Sequence, residues 1–312
     1  MNKTDCIYVA GSETLVGKAL LRQLETAGYS NVIDTSSEEP DLTDAASVNA
    51  YFEAKKPAYV FLAAGKSGGI GANQKYPADL MLNNLLIQCQ VMRSAQRHGA
   101  RKLLYFASSC SYPRSCPQPM QVRSLMTGPL ESTSEAYAMA KIAGIKLCQA
   151  HQQQYGADMI SAIPGDVFGP GDDFGLENSH VIAALIRKMH QAKMDRAQTV
   201  EVWGSGSPRR EFIFVDDVAD AAIFLMQSYS DSAPVNLGSG SEISIKNIAE
   251  LIRKVVGYKG QLRFDPTRPD GMPLKALDSS ALIAMGWRPK VSLQRGLEET
   301  YGWFLDTTKD HA

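Results

Sequence analysis

The chain has 312 residues, of which 44% are hydrophobic and 21% charged, a balance typical of globular proteins with a large core. Its formal net charge of −1 provides no electrostatic basis for binding nucleic acid or an acidic membrane surface. Since no apolar run approaches the roughly 20 residues that a membrane-spanning helix needs, we expect neither nucleic acid nor membrane as a partner.

The cysteines indicate a reducing compartment. They are odd in number and scattered, and no CxxC pair marks a zinc site. Such usage is typical of reduced thiols, so we expect a cytoplasmic protein without a metal centre. The cysteines are Cys6, Cys89, Cys110, Cys116 and Cys148.

The first half of the chain alternates short apolar runs with helical patterns. We predict strands at 6–10, 31–34, 58–63, 102–107 and 159–163, and helices at 15–27, 44–54, 77–98 and 134–155. The strands are apolar on both faces, which indicates a parallel sheet covered by helices on each side. The predicted fold is therefore α/β, with a Rossmann-like doubly wound parallel sheet.

The pattern changes after Pro164. The stretch GDVFGPGDDFG at 165–175 contains four glycines and a proline, which predicts a loop. Beyond it we predict a helix at 180–193, a strand at 200–203, a loop at 204–210, a helix from Val215 to Met226, a strand at 234–240, a helix from near Ser244 and a final helix at 292–305. We expect a dinucleotide-binding domain at 1–165, to which the chain returns near 211–240, and a smaller α/β substrate lobe made mainly of 166–312.

A glycine-containing turn joins the first predicted strand to the first predicted helix. In VAGSETLVGKAL, residues 9–20, Gly11 follows the strand and Gly17 opens the helix, the arrangement that lets backbone N–H groups approach a pyrophosphate. Extended dehydrogenases usually place a middle glycine between these two, where Thr14 stands. We expect the turn, including Leu15 and Val16, to bind a dinucleotide.

Other cofactor-binding candidates follow later strands. Asp34 closes the second predicted strand, where a carboxylate would accept hydrogen bonds from the ribose of NAD and repel the 2′-phosphate of NADP; otherwise it is a solvated acid at a strand end. Asp41 and Leu42 are candidates for holding the adenine. The remaining candidates are Ala63, Ala64 and Pro164, together with Lys141, which can hold the nicotinamide ribose.

A YxxxK motif indicates redox chemistry. Tyr137 and Lys141 lie one helical turn apart, so both face one side, and the ammonium is expected to lower the pKa of the phenol. Ser108 ends the strand at 102–107, at the sheet edge where ligands of parallel sheets bind, and can donate to a substrate carbonyl. Serine, tyrosine and lysine together form a set that interconverts a carbonyl and a carbinol.

Several longer motifs carry a resemblance to a known family. The chain resembles the GDP-L-fucose synthases, which are extended short-chain dehydrogenases/reductases. The resemblance rests on LAAGKSGGIGAN (62–73), YPADLM (76–81), SSCSYP (108–113), YAMAKIAGIKLC (137–148), NSHVIAALIRK (178–188), VWGSGSPRREFIFVDD (202–217) and PDGMPLKALD (269–278).

The resemblance implies a two-stage reaction on GDP-4-keto-6-deoxy-D-mannose: epimerisation at C3 and C5, then reduction of the C4 ketone to give GDP-L-fucose. The family's epimerising cysteine and histidine match Cys110 and His180, while Ser108, Tyr137 and Lys141 match its reductive set. The resemblance further implies a homodimer. The residues expected to bind the GDP-sugar are Asn178, His180, Arg187, Lys188, Trp203, Arg210 and Lys275.

Two departures from the family affect these expectations. Glu13 and the segment from Asp34 to Ser37 stand where the family has two cations that neutralise the 2′-phosphate of NADP, so we expect NAD(H) to be favoured over NADP(H). Gly165-Asp166 replaces the family's Thr-Asn pair beside the sugar. The alternatives are another GDP-keto sugar (a deoxyheptose or dideoxy sugar), an epimerase that retains NAD without net reduction, or a non-catalytic dinucleotide-binding sensor.

Overall fold

The computed structural model describes residues 1–33, 35, 39–175 and 179–309. Its strands are β1 Ile7–Ala10, β2 Tyr59–Leu62, β3 Lys102–Phe106, β4 Asp158–Pro164, β5 Asp166–Phe168, β6 Thr199–Trp203, β7 Arg209–Phe214, β8 Val235–Leu237, β9 Glu242–Ser244, β10 Gln261–Asp265 and β11 Leu274–Lys275.

The helices complete the framework. They are α1 Leu15–Thr26, α2 Ala45–Lys55, α3 Ile70–Lys75, α4 Pro77–Arg97, α5 Glu135–Tyr155, α6 Val181–Met194, α7 Val215–Ser228, α8 Ile245–Val256, α9 Ser280–Ala284 and α10 Leu293–Lys309. Short 3-10 turns occur at Ser109–Ser111, Val122–Ser124 and Ser132–Ser134. Within the described ranges, no helix is both long and apolar enough to cross a membrane.

Five parallel strands form the main sheet, in the order β1-β2-β3-β4-β8. Side chains alternate across it: Ile7 and Val9 enter a core that includes residues of α1 and α7, whereas Tyr8 and Ala10 enter a core that includes residues of α2, α4 and α5. Both faces of every strand are therefore buried, which explains the continuous apolar runs. The prediction of a doubly wound parallel sheet is confirmed.

A separate hydrophobic core lies in the C-terminal part of the chain. It contains apolar residues of α6, α8 and α10 together with strands β5, β6 and β7. Strand β7 is the centre of a second sheet in which β5 and β11 lie parallel on either side of it and β9 is antiparallel. Strands β6 and β10 form a separate parallel pair.

The structure corrects two predictions of local structure. The strand expected at 31–34 is reduced to a parallel bridge between Ile7 and Val32, and Asp34 lies outside the described residues. The loop expected at 165–175 contains strand β5, because residues 166–168 pair with β7 in spite of the surrounding glycines. The helices predicted in the first half agree with α1, α2, α4 and α5 to within one residue.

Candidate active site

The candidate site lies at the edge where the parallel strands of the main sheet end. Strand β1 leads into Gly11, β2 into Ala63 and Ala64, and β3 toward Ser108, while Pro164 ends β4. Ligands of open parallel sheets bind outside these carboxyl ends. Residues separated by up to about half of the chain are thereby brought to one edge.

The turn between β1 and α1 has the close backbone approach that a dinucleotide site needs. Gly11 has φ +84°, and a Cβ placed on it would stand 2.4 Å from the Cα of Ala64. A Cβ on Gly17 would stand 2.0 Å from the Gly11 carbonyl oxygen. Both positions therefore require glycine, and Leu15 and Val16 supply the first N–H groups of a helix that points at the turn. These residues fit a bound dinucleotide.

Thr14 takes the place of the missing middle glycine and caps α1. Its Oγ1 accepts a hydrogen bond from the Gly17 N–H at 3.0 Å and donates to the Gly11 carbonyl at 2.8 Å. The hydroxyl thus fastens the two ends of the turn to each other. Thr14 also has the extended backbone of an N-cap, which accounts for a threonine at this position.

Glu39 contacts this turn from a distant part of the sequence, and sequence reasoning missed it. Its Oε1 accepts hydrogen bonds from the Gly11 N–H at 2.6 Å and from the Tyr8 hydroxyl at 3.2 Å. Burial raises the pKa of the Glu39 carboxyl, while these two hydrogen bonds oppose that rise. Only its place after the second predicted strand could have indicated this role, and the acid predicted to act at that strand end, on the ribose of the cofactor, is Asp34.

The structure gives the two adenine candidates local partners. The Asp41 carboxylate accepts from the Thr43 N–H at 2.9 Å and from the Thr43 hydroxyl at 2.6 Å. These bonds lower the pKa of Asp41, which lies on the surface ahead of α2. Leu42 is buried with Tyr8 and Ala10 in the core beneath the turn. Both residues stay candidates for holding the adenine.

Tyr137 and Lys141 face the end of β3 from α5. The Lys141 side chain is buried, its Nζ donates to the Phe106 carbonyl at 3.1 Å, and burial lowers its pKa to about 8. Burial also raises the pKa of Tyr137, Cys110 reinforces that rise, and a hydrogen bond with Ser108 opposes it. The expected lowering of the phenol pKa is therefore wrong: Lys141 Nζ lies 5.8 Å from the ring centroid, and desolvation dominates.

Close packing of α5 on β3 sets this geometry. Gly144 lies against the ring of Tyr105, where a Cβ would stand 2.3 Å from Cζ. The Tyr105 hydroxyl donates to Gln88 Oε1 at 2.7 Å, and Gln88 Nε2 donates to the Ala140 carbonyl at 2.9 Å. Helix α5 is thus fixed against β3 within one turn of Lys141.

Cys110 belongs to a charged cluster next to this set. It lies in the 3-10 turn after β3, where its N–H donates to Ser108 Oγ at 3.2 Å. Lys275 Nζ is 3.9 Å from Cys110 Sγ and 2.7 Å from Asp166 Oδ1, while Arg210 Nε is 3.9 Å from Asp166 Oδ2. A thiol, a carboxylate and two cations therefore share one small region.

His180 completes the cluster from the start of α6. It is the residue that precedes the helix, and solvent reaches it. Neighbouring protein nevertheless removes enough water to lower the pKa of the imidazole, an effect that the Asp166 carboxylate opposes and the Lys275 ammonium reinforces. The structure thus brings His180 into the electrostatic range of the groups that surround Cys110.

The predicted GDP-binding residues divide between two places. Lys275 and Arg210 lie in the charged cluster, and Arg210 Nη2 also donates to the Asp270 carbonyl at 3.2 Å. Trp203 is 46% exposed and lies between two cations: Lys188 Nζ is 5.3 Å from its ring centroid, and the guanidinium of Arg268, which the sequence analysis missed, is 4.7 Å away. An aromatic face beside cations suits a base and its phosphates.

Two other predicted substrate residues are not seen in such positions. Arg187 donates to the Phe174 carbonyl at 2.7 Å and so ties the preceding loop to α6. Asn178 lies outside the described residues.

Two solved structures superpose on almost the whole chain. A GDP-mannoheptose C4 reductase from Campylobacter jejuni with NADP bound has a TM-score of 0.88 and 32% identity, and the match covers 98% of this chain and 99% of that one. A GDP-L-fucose synthetase from Naegleria fowleri bound to NADP has a TM-score of 0.90 and 25% identity, and the match covers 99% of this chain and 96% of that one.

These neighbours correct the cofactor prediction. Both hold the dinucleotide that carries a 2′-phosphate, so the expectation that NAD(H) is favoured over NADP(H) is wrong. That expectation rested on the formal charges of Glu13 and Asp34 alone and left out the screening of a charge by solvent and by neighbouring cations. The Glu13 side chain is 73% exposed and its Oε2 lies 3.2 Å from Lys18 Nζ, so solvent and a cation weaken its field.

Curated relatives match the chain over nearly its full length. A putative GDP-L-fucose synthase from Arabidopsis thaliana is 52% identical over 306 residues, which is 98% of this chain and 93% of that protein. The GDP-L-fucose synthase of Escherichia coli (strain K12) is 43% identical over 96% of both. The profile of the NAD dependent epimerase/dehydratase family matches residues 7–238. The chain therefore belongs to the NAD dependent epimerase/dehydratase family and, within it, to the GDP-L-fucose synthases.

Proposed function

We propose that the chain acts on a GDP-4-keto-6-deoxy-hexose with NADP(H), first inverting C3 and C5 and then reducing C4. The observation that carries the proposal is the position of Cys110, between the reductive residues Ser108 and Tyr137 and the charged groups Lys275 and Asp166. A thiol beside a carbonyl-binding set supports proton transfer and ketone reduction at one bound sugar. The names of the relatives support the GDP-sugar.

In the reductive stage the side chains act on the C4 oxygen. The turn from Gly11 to Gly17 and Lys141 would hold NADPH, together with Ala63, Ala64 and Pro164, and the dinucleotide would supply the hydride when bound. Tyr137 then donates its proton to the oxygen, and its raised pKa keeps the phenol protonated for this step. Ser108 donates a hydrogen bond to the same oxygen and stabilises the charge that develops there.

In the epimerising stage Cys110 and His180 act on the carbons next to the ketone. The C4 carbonyl acidifies the protons on C3 and C5, and inversion needs a base on one face of the sugar and a proton donor on the other. We assign these two roles to Cys110 and His180 together. The imidazole has a lowered pKa, so a large fraction is neutral and can accept a proton near pH 7.

The GDP moiety is proposed to bind toward Trp203. The indole offers a stacking surface for guanine, and Lys188, Arg210 and Arg268 supply positive charge for the diphosphate. Asn178 stays a candidate for contact with the sugar.

We also propose a cytoplasmic homodimer. Helices α4 and α5 pack on each other, and each presents an exposed apolar side chain, Leu82 and Met139. A second copy that covers this pair of helices would bury both. The five cysteines are free thiols, as in a reducing compartment.

A second candidate is C4 reduction of another GDP-keto sugar. The similarity to the GDP-mannoheptose C4 reductase favours it, as does the carboxylate of Asp166, which pairs with Lys275 at a position where the family has an amide. Such an enzyme would reduce its ketone without inverting C3 and C5.

Isotope exchange separates the two candidates. The protein is incubated in D2O with GDP-4-keto-6-deoxy-D-mannose, with and without NADPH, and the sugar is examined by NMR. We expect deuterium at C3 and C5 in both cases, and net reduction only with NADPH. Reduction without exchange would favour the second candidate. The absence of both exchange and reduction would refute the proposal.

Three variants assign the residues. Cys110→Ser should abolish most exchange, and Tyr137→Phe should abolish reduction while exchange continues. Cys89→Ser, on the exposed surface of α4, is the matched control and should retain both activities. Full exchange in Cys110→Ser would remove Cys110 from its proposed role.

A further inference from the structure

Asp166 is a carboxylate that takes no part in the proposed steps of epimerisation and reduction. Strands β5 and β11 lie on opposite sides of β7, with Asp166 paired to Phe212 and Lys275 paired to Arg210. Since Arg210 and Phe212 are two residues apart on β7, all of these side chains belong to one face of the sheet. The register of three strands thus places the carboxylate between two cations.

The contacts make Asp166 the counter-ion of this face. Its Oδ1 lies 2.7 Å from Lys275 Nζ, and its Oδ2 lies 3.9 Å from Arg210 Nε. Burial raises the pKa of Asp166, but the two cations outweigh that effect and bring it below the usual range. Burial likewise lowers the pKa of Lys275, but Asp166 and Cys110 outweigh it and raise the value. Carboxylate and ammonium are therefore both charged near neutral pH.

The same pair reaches both residues of the proposed epimerising stage. The Lys275 ammonium is 3.9 Å from Cys110 Sγ, where its charge would favour the thiolate unless it were balanced. Asp166 supplies that balance, and its field also favours the protonated form of His180. Two titratable groups act directly on Cys110, Tyr137 of α5 and Lys275 of β11. The groups that act on the Lys275–Asp166 pair are Arg210 of β7 and, at the start of α6, His180.

We propose that Asp166 is a positioning residue that holds the Lys275 ammonium beside Cys110 and balances its charge, so that loss of the carboxylate would leave an uncompensated cation next to the sulfur. The thiol is the form that can donate a proton to the sugar, and the ammonium stabilises the thiolate that is left. The inference rests on the proposed function for its purpose. The effect of the Asp166 charge on Cys110, however, can be measured in the protein without substrate.

The test is the pH dependence of Cys110 alkylation in the full-length protein. Iodoacetamide reacts with the thiolate, and mass spectrometry of the peptide that contains Cys110 gives its rate separately from the other four cysteines. Asp166→Asn keeps an oxygen for Lys275 but removes the charge, so the half-maximal rate should move to lower pH by roughly one unit. Lys275→Met should move it by a similar amount to higher pH.

Two further variants separate charge from structure. Asp166→Glu retains the carboxylate and should keep the wild-type profile. Asp173→Asn is the matched control, because Asp173 carries the same charge near His180 but its carboxylate accepts from the Gly175 N–H. In this control the pH dependence of Cys110 alkylation should be the same as in the wild-type protein.

Opposite shifts in Asp166→Asn and Lys275→Met support the proposal, since general loosening of the site would move both in one direction. An unchanged profile in Asp166→Asn, or a shift to higher pH in both variants, would overturn it. The exchange experiment in D2O is read separately. If wild-type protein exchanges neither C3 nor C5, the proposed function fails while the alkylation result stands.

Discussion

Gly144 is the position where the packing of the site can be tested most directly. On Gly144→Ala the added Cβ would stand 2.3 Å from Cζ and 2.4 Å from the hydroxyl of Tyr105. The Tyr105 side chain is 1% exposed and bonded to Gln88, so its ring has no free direction. Because carbon atoms pack at roughly 3.5–4.0 Å, the ring or helix α5 must move by about 1 Å.

The expected cost follows from two opposing effects. Overpacking of a buried site typically costs about 1–3 kcal/mol, while alanine in place of glycine stabilises a helix by up to about 1 kcal/mol. We therefore expect a net loss of about 1–2 kcal/mol in the free energy of unfolding. A displacement of about 1 Å of α5 also moves Tyr137 and Lys141, which should lower kcat roughly 100-fold.

The measurement is urea unfolding together with steady-state turnover of NADPH. Gly302→Ala on α10 is the control, because nothing lies within 4 Å of a Cβ at Gly302. It should gain up to about 1 kcal/mol in stability and keep its turnover. If Gly144→Ala behaved like Gly302→Ala, Gly144 would not be the contact that seats α5 on β3.

Three other changes test separate parts of the site. Thr14→Ala removes the cap of α1 and should cost about 1 kcal/mol of stability and weaken NADPH binding in a fluorescence titration; Thr14→Ser keeps the oxygen, and equal affinities in the two variants would contradict the role of the hydroxyl. Lys141→Met should stop turnover and alter the pH dependence of unfolding. Because burial lowers the pKa of Lys141 to about 8, the native protein above that pH releases a proton that the unfolded chain keeps to roughly pH 10. Wild-type stability should therefore rise relative to the variant between pH 8 and 10, and a constant difference in urea midpoints would refute this. Trp203→Ala should raise the Kd for GDP, measured by calorimetry, roughly 10-fold or more, and an unchanged Kd would exclude the indole as the base-stacking surface.

The cofactor shows where counting charges along the sequence fails. Glu13 was predicted to repel a 2′-phosphate, but its side chain lies in solvent against Lys18, and the field of an exposed pair is weak. Glu39 was not among the candidates predicted from the sequence, yet its carboxylate accepts a hydrogen bond from the Gly11 N–H in the same turn. Where a charge points depends on the tertiary structure, so spacing alone could not rank these acids.

The main sheet and its helices could be predicted because they follow from local patterns. Runs such as Val60-Phe61-Leu62 are apolar on both faces because each strand is covered twice, and the caps and glycines around α1 mark where that helix begins. The Tyr137 and Lys141 pair could likewise be found, because a spacing of four residues on a helix fixes their common face.

The charged cluster was decided by the tertiary structure alone. Lys275 meets Cys110 across 165 residues of sequence and Asp166 across 109. These contacts depend on the register of β5, β7 and β11, and two of those strands are only two or three residues long, too short to show a period of their own. A local pattern can specify that a residue lies in a strand or a helix, but which distant charge it meets is determined by how the sheets assemble.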